Sequence, residues 1–319
     1  LCQPRAAWGA KEGTTDKSKK GLSRKLSRVG PASPKSDHDE TEVTVTRKWG
    51  DDQVAALPMY DFPELREATD ALWGAIAARL RDQGVAAPDS LLRGRAIEDV
   101  WTDPALLLAQ SCGYPLVTRL EGRVSLVATP CYSAPGCEGA LYRSAIVVRE
   151  GERAATLAEL RGRRCAVNDP ASNSGMNVLR AAIAPLAGGE CRFFGGVILT
   201  GAHEASVRAV AGGEADVAAI DCVTWAHLRA LRPAETRGLR VLGWTEATPG
   251  LPLITSLATG DATLAALRQA LTGVEADPAL TPARAALRID GFMVLKLSAY
   301  DRILALQRQA EQAGYPVLR

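Results

Sequence analysis

The chain has 319 residues, 47% of them hydrophobic and 23% charged, which is ample material for one large domain or for two lobes of ordinary size. No apolar run approaches the roughly 18 uninterrupted residues that a spanning helix needs, so no membrane insertion is expected. The net charge of +2 divides unevenly, because residues 1–50 carry 11 Lys or Arg against 6 Asp or Glu and the remainder carries 27 against 30.

That basic excess belongs to the first element in chain order. The stretch "KEGTTDKSKKGLSRKLSRVGPASPKSDHDETE" is too poor in aromatic and branched apolar side chains to offset the entropy of ordering, so residues 1–50 are expected to be a disordered basic tail. No recognition fold accompanies "KSKKGLSRKLSR", and nucleic acid is not expected as a partner. A basic start followed by about 7 to 15 apolar residues, as a secretory signal requires, does not occur before Val54. A chain beginning at Leu1 reads as a fragment or as a translation extended upstream of its natural start.

From Val54 onward, apolar runs of strand length alternate with helical patterns, the signature of strand-helix-strand units and a parallel or mixed sheet. "VAALPMY" (54–60) reads as a buried strand. Residues 64–83 place Leu65, Ala68, Leu72, Ile76 and Leu80 on one stripe and form an amphipathic helix ended near Gly84. "ALLLAQSC" and "VSLVATP" are further short elements, and "SAIVVR" (144–149) is a strand. A second series follows: helix 156–162, strand "RCAVND", helix 175–187, strand "CRFFGGVIL", helix 203–211 and strand "DVAAID". After "LRVLGWTEATPGLPLITS" come helices over about 261–272 and 298–313. Two α/β units in tandem are implied.

The seven cysteines (Cys2, Cys112, Cys131, Cys137, Cys165, Cys191 and Cys222) are odd in number, which favours a reducing compartment. Cys131 and Cys137 alone are close enough in sequence to suggest a local bridge. His38, His203 and His227 are far apart and lack zinc-site spacing, so no metal is expected.

Polar clusters stand where strands end. In an open α/β sheet ligands sit beyond the carboxyl ends of the strands, where helix starts present unpaired N–H groups and bind anions. Strand "RCAVN" leads into Ser172, Asn173, Ser174 and Gly175, followed by a helix with Val178, Leu179, Ala182, Ile183 and Leu186 on one face. Hydroxyls and neighbouring N–H groups could hold several oxygens of one anion, with Gly175 allowing close backbone approach; an ordinary helix cap is the equally compatible reading. His203 begins the next helix, as a capping residue or as a ligand donor. Asp221 ends a buried strand, as an acceptor for loop N–H groups or as a partner for a protonated ligand group.

The succession "YRSAIVVR", "TLAELRGRRCAVNDPASNSGMNVLRA", "GAHEASVRAVAGGEADVAAID" and "TPGLPLIT" resembles the phosphonate- and phosphate-type substrate-binding proteins of ABC transporters, over about residues 54–270. The resemblance implies a type II periplasmic binding protein fold: two α/β lobes with mixed sheets joined by a two-crossing hinge that closes on the ligand. Lobe 1 would comprise residues 51–144 plus 248–319, and lobe 2 residues 145–247. It further implies that Ser172, Asn173, Ser174 and Gly175 hold a small oxyanion with His203, that Asp221 is the acidic residue at the strand end, and that Tyr60 and Tyr114 close from the other lobe. Asn173 and Met176 depart from the hydroxyl-bearing and aromatic residues expected there. A monomer that delivers its ligand to an ABC permease in the periplasm is implied, although the missing signal would also suit a cytoplasmic sensor.

The alternative from another class is an enzyme on the same scaffold, with Cys222 or Cys112 as nucleophile and His203 as base; each cysteine also suits a small buried apolar position. No glycine-rich nucleotide loop or paired metal ligands are present, so no cofactor is expected.

Overall fold

The computed structural model of the chain describes residues 53–319; the expected basic tail over residues 1–50 lies outside the described residues. The first part runs β1 (Val54–Ala56), α1 (Arg66–Asp82), α2 (Ile97–Trp101), β2 (Leu106–Gln110), α3 (Gly113–Thr118) and β3 (Val124–Tyr132). A short strand, β4 (Leu141–Tyr142), leads to β5 (Ser144–Arg149), β6 (Arg164–Val167), α4 (Val178–Ala187), β7 (Gly196–Leu199), α5 (His203–Ala211), β8 (Val217–Asp221), α6 (Cys222–Leu231), α7 (Pro233–Thr236) and β9 (Leu239–Trp244). The chain returns through β10 (Thr248–Pro249) to β11 (Leu253–Ser256), α8 (Asp261–Ala276), α9 (Thr281–Ala286), β12 (Ile289–Met293) and α10 (Asp301–Gln312).

These strands form two five-stranded mixed sheets, in the orders β1-β2-β11-β3-β12 and β7-β6-β8-β5-β9, so the fold is two-lobed. The connecting strands β4 and β10 pair antiparallel as a separate ribbon, with Tyr142 opposite Thr248 and Leu141 opposite Pro249. In the second sheet β6 runs parallel to both β7 and β8. Their carboxyl ends therefore open on one edge, and that edge carries Asn168, the start of α5, and Asp221.

Local chemistry explains where the elements stop. Pro58 has no N–H for a ladder, so β1 ends at Ala56 and residues 58–60 form a 3-10 turn, which puts Tyr60 on a turn rather than in the expected strand. Helix α1 buries Leu72, Ile76 and Leu80 of the stripe read from the sequence and adds Trp73 beside them, while Ala68 is half-buried. The helix expected over 156–162 shrinks to a single turn at Ala158–Leu160. The strand expected over 191–199 begins only at Gly196, because Phe193 and Phe194 turn into the core and Gly195 lies so close to Gly162 O that a Cβ would not fit.

The end of the chain ties onto the second sheet's helices. Helix α10 packs against α4 and α3, and Ala310, Tyr315 and Leu318 join the core formed with Leu179, Ile183 and Phe193. The buried Arg180 donates from Nη1 to Pro316 O (2.9 Å) and from Nη2 to Asn177 Oδ1 (2.7 Å). Phe193 N donates to Arg319 O at 2.7 Å.

Candidate functional site

Between the lobes lies a cleft of about 440 Å³ whose lining includes Tyr60, Ser172, Ser174, His203 and Asp221. Residues from two separate strand ends, Asn168 and Asp221, and from the start of α5 meet there.

The segment after β6 is a turn followed by one π-type turn, Asn173–Asn177, before α4 becomes regular. Asp169 fixes its entry: Oδ1 accepts from Ala171 N (2.6 Å) and its carbonyl accepts from Ser172 N (3.1 Å). Ser172 Oγ then caps the turn by accepting from Gly175 N at 2.9 Å. Ser174 is held from behind, its carbonyl accepting from Ser144 Oγ at 2.9 Å, while its own Oγ lies 2.8 Å from His203 Nε2 and 3.4 Å from Ser172 Oγ. Gly175 serves close approach: a Cβ there would meet the side-chain amide of Asn168.

Asn173 and Tyr114 take other places. The Asn173 side chain is wholly buried and donates from Nδ2 to Tyr142 OH (3.1 Å) and Thr248 Oγ1 (2.9 Å), one residue on each strand of the ribbon between the lobes. Asn173 thus fastens the crossing segments to each other. Tyr114 is absent from the cleft lining; its hydroxyl donates to Gln307 Oε1 on α10 at 2.7 Å. Met176 packs into the core beside Leu179 and Ile183.

At the start of α5 no side chain caps the helix, since Ala202 occupies the N-cap in extended conformation. The first N–H groups of this nine-residue helix therefore have no side-chain acceptor, and they carry the partial positive charge of a helix start. Burial lowers the His203 pKa to about 4, so the imidazole is neutral near neutral pH. Nδ1 is buried without a partner. A neutral ring bonded to Ser174 leaves one donor of the pair unused in either tautomer: the Nδ1–H, or the Ser174 hydroxyl proton.

Asp221 takes the first of the two roles left open by the sequence, that of an acceptor for N–H groups, and adds a bond across the cleft. Oδ1 accepts from Val223 N (2.8 Å) and Thr224 N (2.9 Å), capping α6, while Oδ2 accepts from Tyr60 OH (3.0 Å) of the other lobe. Burial raises its pKa to about 6 against the pull of these donors. Burial likewise holds the Tyr60 phenol well above its ordinary range, followed by the repulsion of Asp221.

A second contact crosses between the lobes near the mouth. Glu64 accepts two hydrogen bonds from Arg232 (2.7 and 2.9 Å), which also pairs with Glu204 (2.6 Å) and lies over the Phe62 ring at 5.4 Å. The Arg232 hydrogen bonds lower the Glu64 pKa to about 2. Met59, Phe62, Ile97, Trp101 and Pro115 supply an apolar wall, and Arg119 is the one Arg or Lys of the lining among the described residues. Sequence reasoning missed these groups, because Trp101 and Arg119 stand in segments without a polar motif.

The cysteine–histidine pairing needed for the catalytic alternative does not occur among the described residues. His203 Nε2 meets Ser174, Cys112 Sγ accepts from Asn173 N (3.4 Å), and Cys222 Sγ touches Cys137 Sγ (3.4 Å). The Cys131–Cys137 bridge suggested by sequence spacing is not formed; both are free thiols. Among the described residues there is no cluster suited to a metal ion, and no helix is long and apolar enough to cross a membrane.

Comparison with known proteins adds to this geometry. A family model described as ABC transporter, phosphonate, periplasmic substrate-binding protein matches residues 106–300. No curated protein matches the chain. Among solved structures, a binding protein component of an ABC phosphonate transporter from Pseudomonas aeruginosa is similar, with 18% identity, a TM-score of 0.64, and coverage of 82% of this chain and 88% of that one. PhnD1 from Prochlorococcus marinus, in complex with methylphosphonate, shares 16% identity with a TM-score of 0.63, covering 82% and 98%. XAC2383 from Xanthomonas citri, bound to ATP, shares 17% identity with a TM-score of 0.63, covering 82% and 97%. At these identities the likeness to solved structures carries the fold alone.

Proposed function

The chain belongs to the phosphonate-type periplasmic substrate-binding proteins of ABC transporters, and from that premise we propose that it captures a small phosphonate- or phosphate-like oxyanion between its lobes for ABC-type uptake or sensing. The family is one of substrate-binding proteins; the work of this chain is to enclose a ligand and present it to a permease.

In this reading the anion's oxygens sit against Ser172 Oγ, the Ser174–His203 pair and the uncapped start of α5. Tyr60 and Asp221 close over it. An Asp poised near pH 6 suits an acidic oxygen, since one proton can be shared between carboxylate and ligand. The apolar wall formed by Met59, Ile97 and Trp101 would receive the carbon substituent. Hydrogen bonds to a charged group contribute about 1.5–3 kcal/mol each, so three or four, less the cost of closing, correspond to roughly micromolar affinity. The family description favours a periplasmic site of action.

One observation carries the proposal: Ser172, Ser174, His203 and Asp221, scattered over fifty residues of sequence, line the same cleft. Titration calorimetry with phosphate, phosphite, methylphosphonate and sulfate tests it. Saturable binding of a phosphorus oxyanion, weakened in Ser174→Ala, is the expected result; equal indifference to all four anions would overturn it.

A further inference from the structure

The sulfurs of Cys137 and Cys222, which the binding site does not use, lie 3.4 Å apart although the residues are separated by 85 positions. Cys222 is wholly buried at the start of α6, directly after Asp221, and Cys137 is half-buried in the loop joining β3 to β4. Both backbones are anchored. Cys222 N donates to Arg143 O (3.2 Å), and Cys137 N donates to Ala134 O (2.9 Å). Gly136, with φ of 102°, presses the loop so near that a Cβ there would meet Cys222 Cβ at 3.1 Å and the Trp244 ring at 2.7 Å.

We propose that Cys137 and Cys222 form a disulfide in an oxidising compartment, fastening the loop between β3 and β4 to the start of α6, directly after Asp221. A disulfide sulfur pair stands about 2.05 Å apart, so the sulfurs need to approach by roughly 1.4 Å. The co-reactant is a low-molecular-weight disulfide such as oxidised glutathione. The more accessible Cys137, as thiolate, attacks one of its sulfurs and expels a thiolate. Cys222 then loses its proton, attacks Cys137 Sγ and expels the second thiolate. One S–S bond breaks and one forms, two cysteines are oxidised, and the oxidant leaves as two thiols.

Tryptic cleavage makes the test direct. Residues 124–143 form one peptide holding Cys131 and Cys137, and residues 209–229 form another holding Cys222. The full chain, equilibrated with oxidised glutathione, alkylated and digested without reductant, should yield these two peptides linked. The link should persist in Cys131→Ser and vanish in Cys137→Ser. The thermal effect is read as a difference between the wild type and Cys137→Ser, so that any other response to reductant cancels. Reductant should lower the wild-type Tm by about 5 °C or more beyond its effect on Cys137→Ser. An internal bridge within the 124–143 peptide, or alkylation of both Cys137 and Cys222 after oxidation, would overturn the proposal.

Discussion

Replacing Asp221 with Asn should stabilise the unliganded protein, and by an amount that depends on pH. The carboxyl is 2% exposed, and burial moves its pKa from 3.8 to about 6. An acid whose pKa is raised on folding contributes stability below its unfolded pKa and loses it as pH rises through the folded one. A shift of roughly two pH units corresponds to about 3 kcal/mol, lost by the wild type between about pH 4 and pH 7. Asn keeps an oxygen for Val223 N and Thr224 N and carries no buried charge. Asp221→Asn should therefore melt about 5–10 °C above wild type at pH 8, and at the same temperature near pH 4, where the wild-type carboxyl is already neutral. His203 and His227, both lowered to about 4 by burial, act oppositely, costing stability as pH falls from their ordinary range. They are common to both proteins and cancel in the difference. Differential scanning fluorimetry at the two pH values measures it. An Asp221→Asn variant no more stable than wild type at pH 8, or an equal offset at both pH values, would refute the reasoning.

Other substitutions separate binding from scaffolding. Ser174→Ala and His203→Ala should each weaken methylphosphonate binding by about 1–3 kcal/mol, some 5- to 150-fold by calorimetry, with the denaturation midpoint little changed. Gly175→Ala should push the Asn168 side chain out of its place, lowering stability by about 1–3 kcal/mol and lowering affinity with it, as urea titration and calorimetry would record. Asn173→Ala removes the donor that joins Tyr142 and Thr248, and should cost about 3 kcal/mol in urea unfolding.

Legibility in the sequence followed the range of the interactions. Helix α5 begins at His203 and ends at Ala211, the limits its apolar spacing and the following Gly212-Gly213 had indicated. Strand β8 ends at Asp221, where a buried apolar run meets a charge. Such boundaries are local, set by a few residues of pattern. Helix α6 escaped notice because "CVTWAHLRAL" is rich in residues that suit strand or helix alike, and it is Asp221's capping that starts it. The place of Tyr114 was hidden for another reason. Its hydroxyl answers to Gln307, and no local pattern announces that the final helix returns to lie against α3 and α4. The same holds for Trp101 and Arg119 in the cleft and for the meeting of Cys137 with Cys222, which depend on how two sheets are joined.

The crystal structure of the complex with methylphosphonate tests the central claim most directly. Phosphonate oxygens are expected within hydrogen-bonding distance of Ser172 Oγ, Ser174 Oγ and the first N–H groups of α5, with Tyr60 and Asp221 on the opposite side. A phosphonate seated elsewhere on the molecule, with Ser174 and His203 still bonded only to each other, would contradict it.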